Sequence, residues 1–318
     1  MVTEMTELAR HVAEGLARNP KTLSSMYFYD DAGSRLFQQI MALPEYYPTR
    51  AEFAIFREHG AAIGAALGGT AGESFTLLEL GAGDGAKTKL LLRELLAAKS
   101  EFTYAPVDIS AGAMSGLVAT LAQELPALRV VPVVETYADA LDQLHTQPGR
   151  KAVLFLGSNI GNFHPADRLD FLRQLAAPLN EEDRLLIGFD LRKDPRRIRA
   201  AYDDAQGITA AFNLNLLTRL NRELGADFDL ARWQHFTDYE PLTGAVRSFL
   251  VSTEAQNIHF EGLELTVPFA AWEVIHTENS YKFTRPQIEA LAAEAGLRVV
   301  DFFTDGAGDF ADVVLAAR

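Results

Sequence analysis

Residues 75–94, FTLLELGAGDGAKTKLLLRE, decide the fold that we expect for this chain. The pattern predicts an apolar strand over Phe75–Leu80, a glycine loop, and a helix whose apolar face begins near Leu90. A strand, a glycine loop and a helix start form a nucleotide-binding edge at the carboxyl end of a sheet strand. The loop has the spacing G-x-G-x-G, whereas a dinucleotide site has G-x-G-x-x-G. A glycine turn that binds no ligand is the alternative.

Three glycines and two acids make this loop a candidate adenosyl site. Gly81, Gly83 and Gly85 carry no Cβ atom, so the chain can turn tightly and a ligand can approach the backbone. Glu79 precedes the first glycine by two residues, and Asp108 ends the next predicted strand, TYAPVD. A carboxylate at such a position can accept hydrogen bonds from ribose hydroxyls.

Composition excludes several classes of function. The chain has 318 residues, 48% of them hydrophobic, which is enough for a large core and too many for a disordered protein. Its net charge is −14, from 43 acidic residues against 29 Lys plus Arg, so a nucleic-acid substrate would need a local basic patch. The best candidate, 192–199 (RKDPRRIR), is interrupted by Asp194 and Pro195 and is typical of a solvated turn and helix start. We therefore expect no nucleic-acid partner.

Motifs of metal, thiol and hydrolase chemistry do not occur in the sequence. There is no cysteine, which excludes disulfides, thiolate zinc sites and a cysteine nucleophile. The seven histidines form no H-E-x-x-H pattern, and neither a G-x-S-x-G elbow nor a G-x-x-x-x-G-K-[ST] loop is present. The N-terminal stretch is charged and amphipathic, and no run approaches membrane-spanning length. We expect a cytoplasmic protein that contacts no membrane and holds no metal.

Alternation of strands and helices from Phe75 onwards predicts an α/β fold. After the glycine loop we predict strand 102–108, a helix from Ser110, strand 128–134, helix 138–144, strand 151–156, helix 165–177 and strand 184–190. The alternation stops at Asp194-Pro195, and 197–225 is predicted to be largely helical. Two strand-like runs, AVRSFLVSTEAQNIHF and LELTVPF, then predict an antiparallel hairpin. Helix 285–295 and strands 297–301 and 310–317 follow.

This late return to strands completes a doubly wound, Rossmann-like sheet of about seven strands. We expect the Rossmann-like domain to comprise 56–192 and 284–318, and a second, substrate-binding α+β lobe to comprise 1–55 and 193–283. Near the N-terminus, a helix ends at Asn19-Pro20, Asp30 begins a helix that Leu43-Pro44 stops, and 46–50 forms a loop before a helix from Ala51.

Three further features carry polar groups. The turn 157–163, GSNIGNF, follows a predicted strand, where ligands of open α/β sheets bind; a turn-only role is the alternative.

Four tyrosines either pack under a loop or present phenols to a small polar substrate. These are Tyr27, Tyr29, Tyr46 and Tyr47. The Asp203-Asp204 pair is predicted to lie on a solvated face or to cap a turn, because no further metal ligands accompany it.

The strand, glycine loop and acids resemble the S-adenosylmethionine site of class I methyltransferases. Segments spread over nearly the whole chain resemble one family more specifically, the histidine-specific Nα-methyltransferases of ergothioneine biosynthesis. The matching segments are 27–37 (YFYDDAGSRLF), 43–52 (LPEYYPTRAE), 78–88, 155–162 (FLGSNIGN), 201–229 and 277–283 (TENSYKF). The resemblance implies S-adenosylmethionine-dependent methylation of the α-amino group of histidine, in one or more steps up to the trimethyl betaine. We expect a monomer acting on a small-molecule amino acid.

The resemblance also implies roles for individual residues. Those implied to bind S-adenosylmethionine are Gly81, Lys87, Asp108 and Tyr47, in addition to Glu79 of the preceding strand and Gly83 of the glycine loop. Those implied to bind the amino acid are Asn162 and Tyr202 at its carboxylate, Tyr46, Glu278 and Ser280 at its imidazole, and Gly157 and Phe212 in the pocket lining. Tyr29 would lie near the α-amine, and Tyr29 or a bound water is expected to accept the amine proton.

The chemistry of Glu278 and Ser280 agrees with that role. Two residues apart in an extended segment, their side chains point to one side. A carboxylate and a hydroxyl there can hold both imidazole nitrogens, one as donor and one as acceptor. The alternative for Glu278 is a surface ion pair with Lys282.

Two segments depart from the family's pattern. Glu135-Thr136-Tyr137 stands where the family usually has Gly-Asp-Phe at the adenine, and Thr136 can still accept one hydrogen bond. Arg247-Ser248 stands where the family usually has Glu-Met near the imidazole, and the smaller Ser248 enlarges the side-chain pocket. Methylation of another amino acid, a thiolated histidine or an aromatic one, is therefore an alternative. So are a nicotinamide oxidoreductase, which the glycine spacing disfavours, and a noncatalytic binding protein on the same fold.

Overall fold

The chain forms two compact units. The computed structural model describes residues 6–68, 74–137, 139–140 and 149–318. The first unit comprises Met1–Tyr47 and Lys193–Tyr281, and the second comprises Pro48–Arg192 and Lys282–Arg318. Of the predicted helix 138–144, residues 138 and 141–144 lie outside the described residues.

A seven-stranded sheet organises the second unit. The helices and strands of this unit are α3 (Tyr47–Ala66), β2 (Ser74–Leu80), α4 (Thr88–Ala97), β3 (Glu101–Val107), α5 (Ala111–Glu124), β4 (Arg129–Val130), β5 (Arg150–Phe155), α6 (Pro165–Ala176), β6 (Arg184–Asp190), α9 (Arg285–Glu294), β12 (Leu297–Thr304) and β13 (Phe310–Ala317). The strand order is β12-β13-β6-β5-β2-β3-β4. Strands β2 to β6 run parallel, and β13 is antiparallel to both of its neighbours. The prediction of a doubly wound sheet of seven strands is confirmed.

The sheet forms because its central strands are apolar on both faces, as strands covered by helices on both sides must be. Leu77, Leu154, Leu186 and Val314 are fully buried on four different strands. They share one core with Leu91 and other apolar side chains of the second unit. Each buried leucine or valine contributes about 1.5–3 kcal/mol to folding.

Two predictions about this unit need correction. Residues 47–50 form the first turn of α3, not a loop. Proline is tolerated there because N–H groups in the first turn of a helix have no partner within the helix, so the N–H that Pro48 lacks is not needed. The predicted strand 128–134 is reduced to β4, followed by an isolated bridge between Val133 and Val107. Pro132 cannot donate to a ladder, and β4 lies at the sheet edge, where such an interruption is tolerated.

The first unit combines helices with two small sheets. Its helices and strands are α1 (Glu7–Leu16), β1 (Lys21–Thr22), α2 (Asp31–Ala42), α7 (Pro195–Ala200), α8 (Ile208–Leu224), β7 (Trp233–Glu240), β8 (Ala245–Ser252), β9 (Gln256–Phe260), β10 (Leu265–Phe269) and β11 (Val274–Tyr281). One sheet has the order β1-β11-β8-β7, and β9 pairs with β10 in the other. The predicted hairpin therefore holds only for β9 and β10, because the chain leaves β8 through a turn at 253–255.

Local signals placed the ends of several helices correctly. Asp30 caps α2 by accepting a hydrogen bond from Gly33 N, and Ser110 caps α5 in the same way. Gly296 follows α9 with φ +79°. Asp204 accepts hydrogen bonds from Ile208 N and Thr209 N just before α8, so of the two expectations for the Asp203-Asp204 pair the capped turn holds for Asp204, which is buried and not on a solvated face. In the described residues, no helix is long and apolar enough to cross a membrane.

Candidate active site

The glycine loop lies at the carboxyl end of β2, between β3 and β5. Gly81 and Ala82 donate hydrogen bonds from their backbone N–H groups to Val107 O, at 2.8 and 3.1 Å. The φ angles of Gly81 and Gly83 are +73° and +54°, a region that side chains disfavour. A Cβ atom on Gly81 would lie 2.5 Å from the Tyr137 hydroxyl oxygen, whereas no atom of the described residues, apart from those of its chain neighbours, lies within 4 Å of one on Gly83. The backbone at Gly83 is therefore open to a ligand.

Asp108 is tied directly to this loop. Its Oδ2 accepts a hydrogen bond from Gly83 N at 3.0 Å, and its Oδ1 accepts one from Ser110 N at 2.9 Å. These bonds set the orientation of the carboxylate at the carboxyl end of β3. The fold thus brings together Gly81, Gly83 and Asp108.

Glu79 occupies a different environment from the one expected. It is 3% exposed, and its carboxylate accepts hydrogen bonds from Thr88 Oγ1 at 2.6 Å and from the Tyr104 hydroxyl. Burial raises the pKa of Glu79 to about 7, although these hydrogen bonds and the Lys87 charge oppose the shift. Both carboxylate oxygens of Glu79 therefore face hydroxyls inside the core.

Thr136 and Tyr137 lie beyond β4. Thr136 is exposed, donates to Asp139 Oδ2 at 2.6 Å and accepts from Asp139 N at 3.3 Å, as a helix cap does. Tyr137 packs edge-on against Phe155, with 5.6 Å between ring centroids. Burial, with the charges of Asp108 and Glu79, raises the pKa of Tyr137. Of these two residues, Tyr137 is the one that the contacts place at the glycine loop.

Lys87 precedes α4 and is paired with Glu52 of α3, a residue that sequence reasoning missed. Burial acts to lower the pKa of Lys87, but the Glu52 charge and hydrogen bond outweigh it, and the pKa is raised. Glu52 Oε1 also accepts a hydrogen bond from Gly157 N at 2.8 Å. The available signal was one acid beside the apolar residues Ala51 and Ile55 of a helix.

The turn after β5 is held at both ends. Gly157 and Ser158 have φ angles of +74° and +57°. Ser158 Oγ accepts a hydrogen bond from Asp190 N at 2.9 Å, and Arg168 donates to the backbone oxygens of Ile160 and Phe163. Asn162 ends the short 3-10 helix Asn159–Asn162 and is exposed.

In the first unit, five aromatic rings form a connected group, which we call the aromatic cluster. Its members are Tyr29, Phe37, Tyr46, Tyr202 and Phe212. Tyr29 lies 5.5 Å from Phe37 and 5.6 Å from Phe212, measured between ring centroids. Tyr46 lies 6.2 Å from both Phe37 and Tyr202. Tyr29 is 45% exposed, although its ring packs against Phe37 and Phe212. Phe37, which links Tyr29 to Tyr46, was not among the predicted site residues.

The polar candidate residues of this unit lie on β8 and β11 or contact them. The Tyr202 hydroxyl lies 2.9 Å from Ser280 Oγ. Glu278 is opposite Ser248 in the register of β11 with β8, and Ser248 is 2% exposed. Residues directly opposite in an antiparallel pair share a face of the sheet, so Ser248 and Glu278 are neighbours.

One expectation about a charged partner is corrected, and Tyr47 has two cations beside its ring. Lys282 is 1% exposed and pairs with Asp190 at 2.8 Å, so it is not the surface cation considered for Glu278. Tyr47 is 2% exposed, and within the first unit Lys193 Nζ lies 3.9 Å from its ring centroid. Arg197 lies 5.1 Å from the same ring, so two cations of the first unit pack against Tyr47, and its contact with the cofactor stays a prediction.

The strand order, with β13 reversed, is that of class I S-adenosylmethionine-dependent methyltransferases, and the glycine loop and Asp108 follow the first two strands of that sheet. The family follows from sequence comparison. The sequence model for histidine-specific, S-adenosylmethionine-dependent methyltransferases matches residues 8–317, and the chain belongs to this family.

Three relatives illustrate the match. A histidine N-alpha-methyltransferase of Mycolicibacterium smegmatis is 43% identical over 95% of this chain and 92% of its own length. A histidine N-alpha-methyltransferase of Mycobacterium tuberculosis is 40% identical over 98% of this chain and 95% of its own length. Ergothioneine biosynthesis protein 1 of Neurospora crassa is 31% identical over 90% of this chain, which corresponds to 32% of that longer protein.

Proposed function

We propose that this protein methylates the α-amino group of L-histidine, with S-adenosylmethionine as methyl donor, as a step of ergothioneine biosynthesis. The observation that carries the proposal is the match of the histidine-specific family along residues 8–317. The proposal includes repeated transfer up to the trimethyl betaine.

The residues around the glycine loop fit an adenosyl cofactor with a charged amino-acid end. S-adenosylmethionine supplies a methyl group that is already electrophilic because it is bonded to a sulfonium. Asp108 would accept hydrogen bonds from ribose hydroxyls, and the open backbone at Gly83 would let the ligand approach. Lys87 would attract the cofactor carboxylate, and Thr136 and Tyr137 would lie at the adenine.

Residues of the first unit would recognise the amino acid. Glu278 and Ser280 would hold the two imidazole nitrogens, one as acceptor and one as donor. Tyr202, whose hydroxyl already meets Ser280, would contact the substrate carboxylate. Tyr46 and Phe212 of the aromatic cluster would line the pocket. In the second unit, Asn162 would contact the carboxylate and Gly157 would line the turn.

The amine must lose its proton before it can attack. We propose that Tyr29 or a bound water takes that proton; the packing of the Tyr29 ring against Phe37 and Phe212 and its 45% exposure support this role. Orientation and removal of water would supply the rest of the rate enhancement, which can reach several kcal/mol.

Mass spectrometry tests the substrate directly. The protein is incubated with S-adenosylmethionine and an equimolar mixture of the common amino acids, and every methylated product is identified. We expect mono-, di- and trimethylated histidine, all modified at the α-nitrogen. Methylation of another amino acid, or binding of the cofactor without any product, would overturn the proposal.

A second candidate substrate is a bulkier amino acid, either a thiolated histidine or an aromatic one. It is favoured by one observation, the small buried Ser248 opposite Glu278, where the family usually has methionine. Adding these amino acids to the same mixture separates the two candidates by their product ratio.

We further propose a monomeric cytoplasmic enzyme with no nucleic-acid partner. The net charge of −14 supports a small-molecule substrate over a polyanion. Light scattering after gel filtration tests the oligomeric state, and cell fractionation tests the location.

A further inference from the structure

One buried acid in the second unit connects two residues with different proposed ligands. Glu52 is 1% exposed, and its two carboxylate oxygens have different partners. Oε2 is paired with Lys87 Nζ, and Oε1 accepts the hydrogen bond from Gly157 N at 2.8 Å. Lys87 follows the glycine loop, and Gly157 begins the turn 157–163, which contains Asn162.

The surrounding sheet makes room for this carboxylate. A Cβ atom on Gly188 of β6 would lie 2.7 Å from Glu52 Oε1, so the side chain crosses β6 where the strand has no side chain. A Cβ atom on Gly157 would lie 3.6 Å from Lys87 Nζ, which places the lysine and the turn next to each other. Glu52 is thus in contact with both.

A second buried acid lies beside this group without joining its hydrogen bonds. Asp312 of β13 is opposite Gly188 in the sheet register and is fully buried. Neither of its carboxyl oxygens has a hydrogen-bond partner among the described residues. Burial and the Glu52 charge raise the pKa of Asp312, although Lys87 opposes the shift. Lys87 is paired with Glu52, whereas neither Asp312 oxygen takes part in this pairing, so Glu52 is the carboxylate that contacts the Lys87 ammonium.

We propose that Glu52 is a positioning residue that orders the cofactor side and the amino-acid side of the second unit at once. It holds the Lys87 ammonium in place for the cofactor carboxylate. It also holds the Gly157 amide, and with it the start of the turn that carries Asn162. This inference rests on the proposed function, which supplies the roles of Lys87 and Asn162. Burial of an acid is costly unless it is paired, and here the two partners satisfy it.

Two substitutions separate these effects. E52Q keeps an oxygen that can accept from Gly157 N but removes the charge opposite Lys87. It is expected to weaken S-adenosylhomocysteine binding about tenfold by calorimetry, with the KM for histidine changed less than about twofold. E52A removes both contacts and is expected to weaken both. A merely structural role would not produce this difference between the two variants.

A double-mutant cycle and a matched control complete the test. In a K87M background, E52Q is expected to change S-adenosylhomocysteine affinity by less than about twofold, because Glu52 acts through Lys87. E58Q removes an exposed acid of the same helix and is expected to bind like the wild type. G188A keeps all the charged groups and displaces the Glu52 carboxylate, so it is expected to weaken binding by a smaller factor than E52Q.

Wild-type affinity in folded E52Q, or an undiminished effect of E52Q in the K87M background, would overturn the inference. If E52Q does not fold, the test rests on G188A: wild-type affinity of G188A for S-adenosylhomocysteine would overturn the inference. S-adenosylhomocysteine binding needs no methyl acceptor. A wild type that binds it without methylating histidine would therefore refute the proposed function and leave the inference about Lys87 standing.

Discussion

The Tyr202 hydroxyl lies 2.9 Å from Ser280 Oγ, which joins the segment after α7 to strand β11. Tyr202 is held a second time by its backbone oxygen, which accepts a hydrogen bond from Thr237 Oγ1 at 3.1 Å. Ser280 lies two residues after Glu278 on the same strand. Tyr202 therefore has a defined position next to the pair of side chains proposed to read the imidazole.

Loss of the Tyr202 hydroxyl is expected to weaken binding of the amino acid alone. Y202F should raise the KM for histidine about five- to tenfold, the usual value of one hydrogen bond, with S-adenosylhomocysteine affinity unchanged. Because Tyr202 and Ser280 share a hydrogen bond, the double variant Y202F/S280A should raise the KM for histidine by less than the product of the two single increases. Steady-state kinetics on the single and double variants measures this, and Y239F on β7 is the control. Full additivity would mean that the two hydroxyls act independently.

Tyr29 is expected to control turnover, not folding. Y29F keeps the ring contacts with Phe37 and Phe212 and removes the hydroxyl. We expect kcat at neutral pH to fall by about 100-fold, a typical value for a general base, with the thermal midpoint of unfolding nearly unchanged. The pH profile of kcat is the measurement, and Y27F is the matched control. Full turnover of Y29F across neutral and alkaline pH would exclude Tyr29 as the proton acceptor.

Glu278 is expected to select histidine. E278A should raise the KM for histidine at least about tenfold, because one imidazole nitrogen loses a charged partner, and should leave cofactor affinity nearly unchanged. Calorimetry with S-adenosylhomocysteine and kinetics with histidine measure the two effects separately. E254A, which removes an exposed acid of the same unit, serves as control. Equal loss of both affinities would show that the imidazole pocket lies elsewhere.

Ser248 is expected to set the size of the side-chain pocket. S248M introduces the residue that the family usually has opposite Glu278, and it fills space beside that carboxylate. We expect the ratio of methylated histidine to any methylated bulkier amino acid to rise about tenfold. A size difference of one or two methylene groups in a pocket typically gives discrimination of this magnitude. Competition experiments read by mass spectrometry give this ratio. An unchanged ratio would remove Ser248 from the determinants of specificity.

Glu79 is expected to make stability fall as pH rises. Its folded-state pKa of about 7 lies above the ordinary value of 4.5, so the folded state binds the proton more tightly than the unfolded state. The stabilisation is complete below pH 4.5 and is lost as pH rises to about 7. The loss is on the order of 3 kcal/mol. E79Q should lack this pH dependence. The difference in the free energy of unfolding between wild type and E79Q, measured with urea, should therefore change between pH 5 and pH 8. A constant difference would mean that Glu79 is ionised throughout.

Strand β6 shows how closely local pattern can predict an element, since Arg184–Asp190 was predicted with both of its ends. Apolar runs bounded by turn residues are fixed by local sterics and burial. Strand β7 was not predicted, because half of its residues are polar and partly exposed and its pairing with β8 depends on a neighbour. The position of Ser248 opposite Glu278 depends on the same sheet register.

The sequence by itself determined the glycine loop, the alternation that builds the seven-stranded sheet, and the caps at Asp30 and Ser110, because these depend on backbone sterics and on the spacing of apolar residues along the chain. Tertiary structure alone decided that Glu79 is buried against Thr88 and Tyr104, and that Tyr47 is covered by Lys193. It also brought Glu52 to Gly157, which is 105 residues away in the chain. The physical reason is that hydrogen bonds and ion pairs act over a few ångströms in space, and only the completed packing of strands and helices decides which side chains come that close.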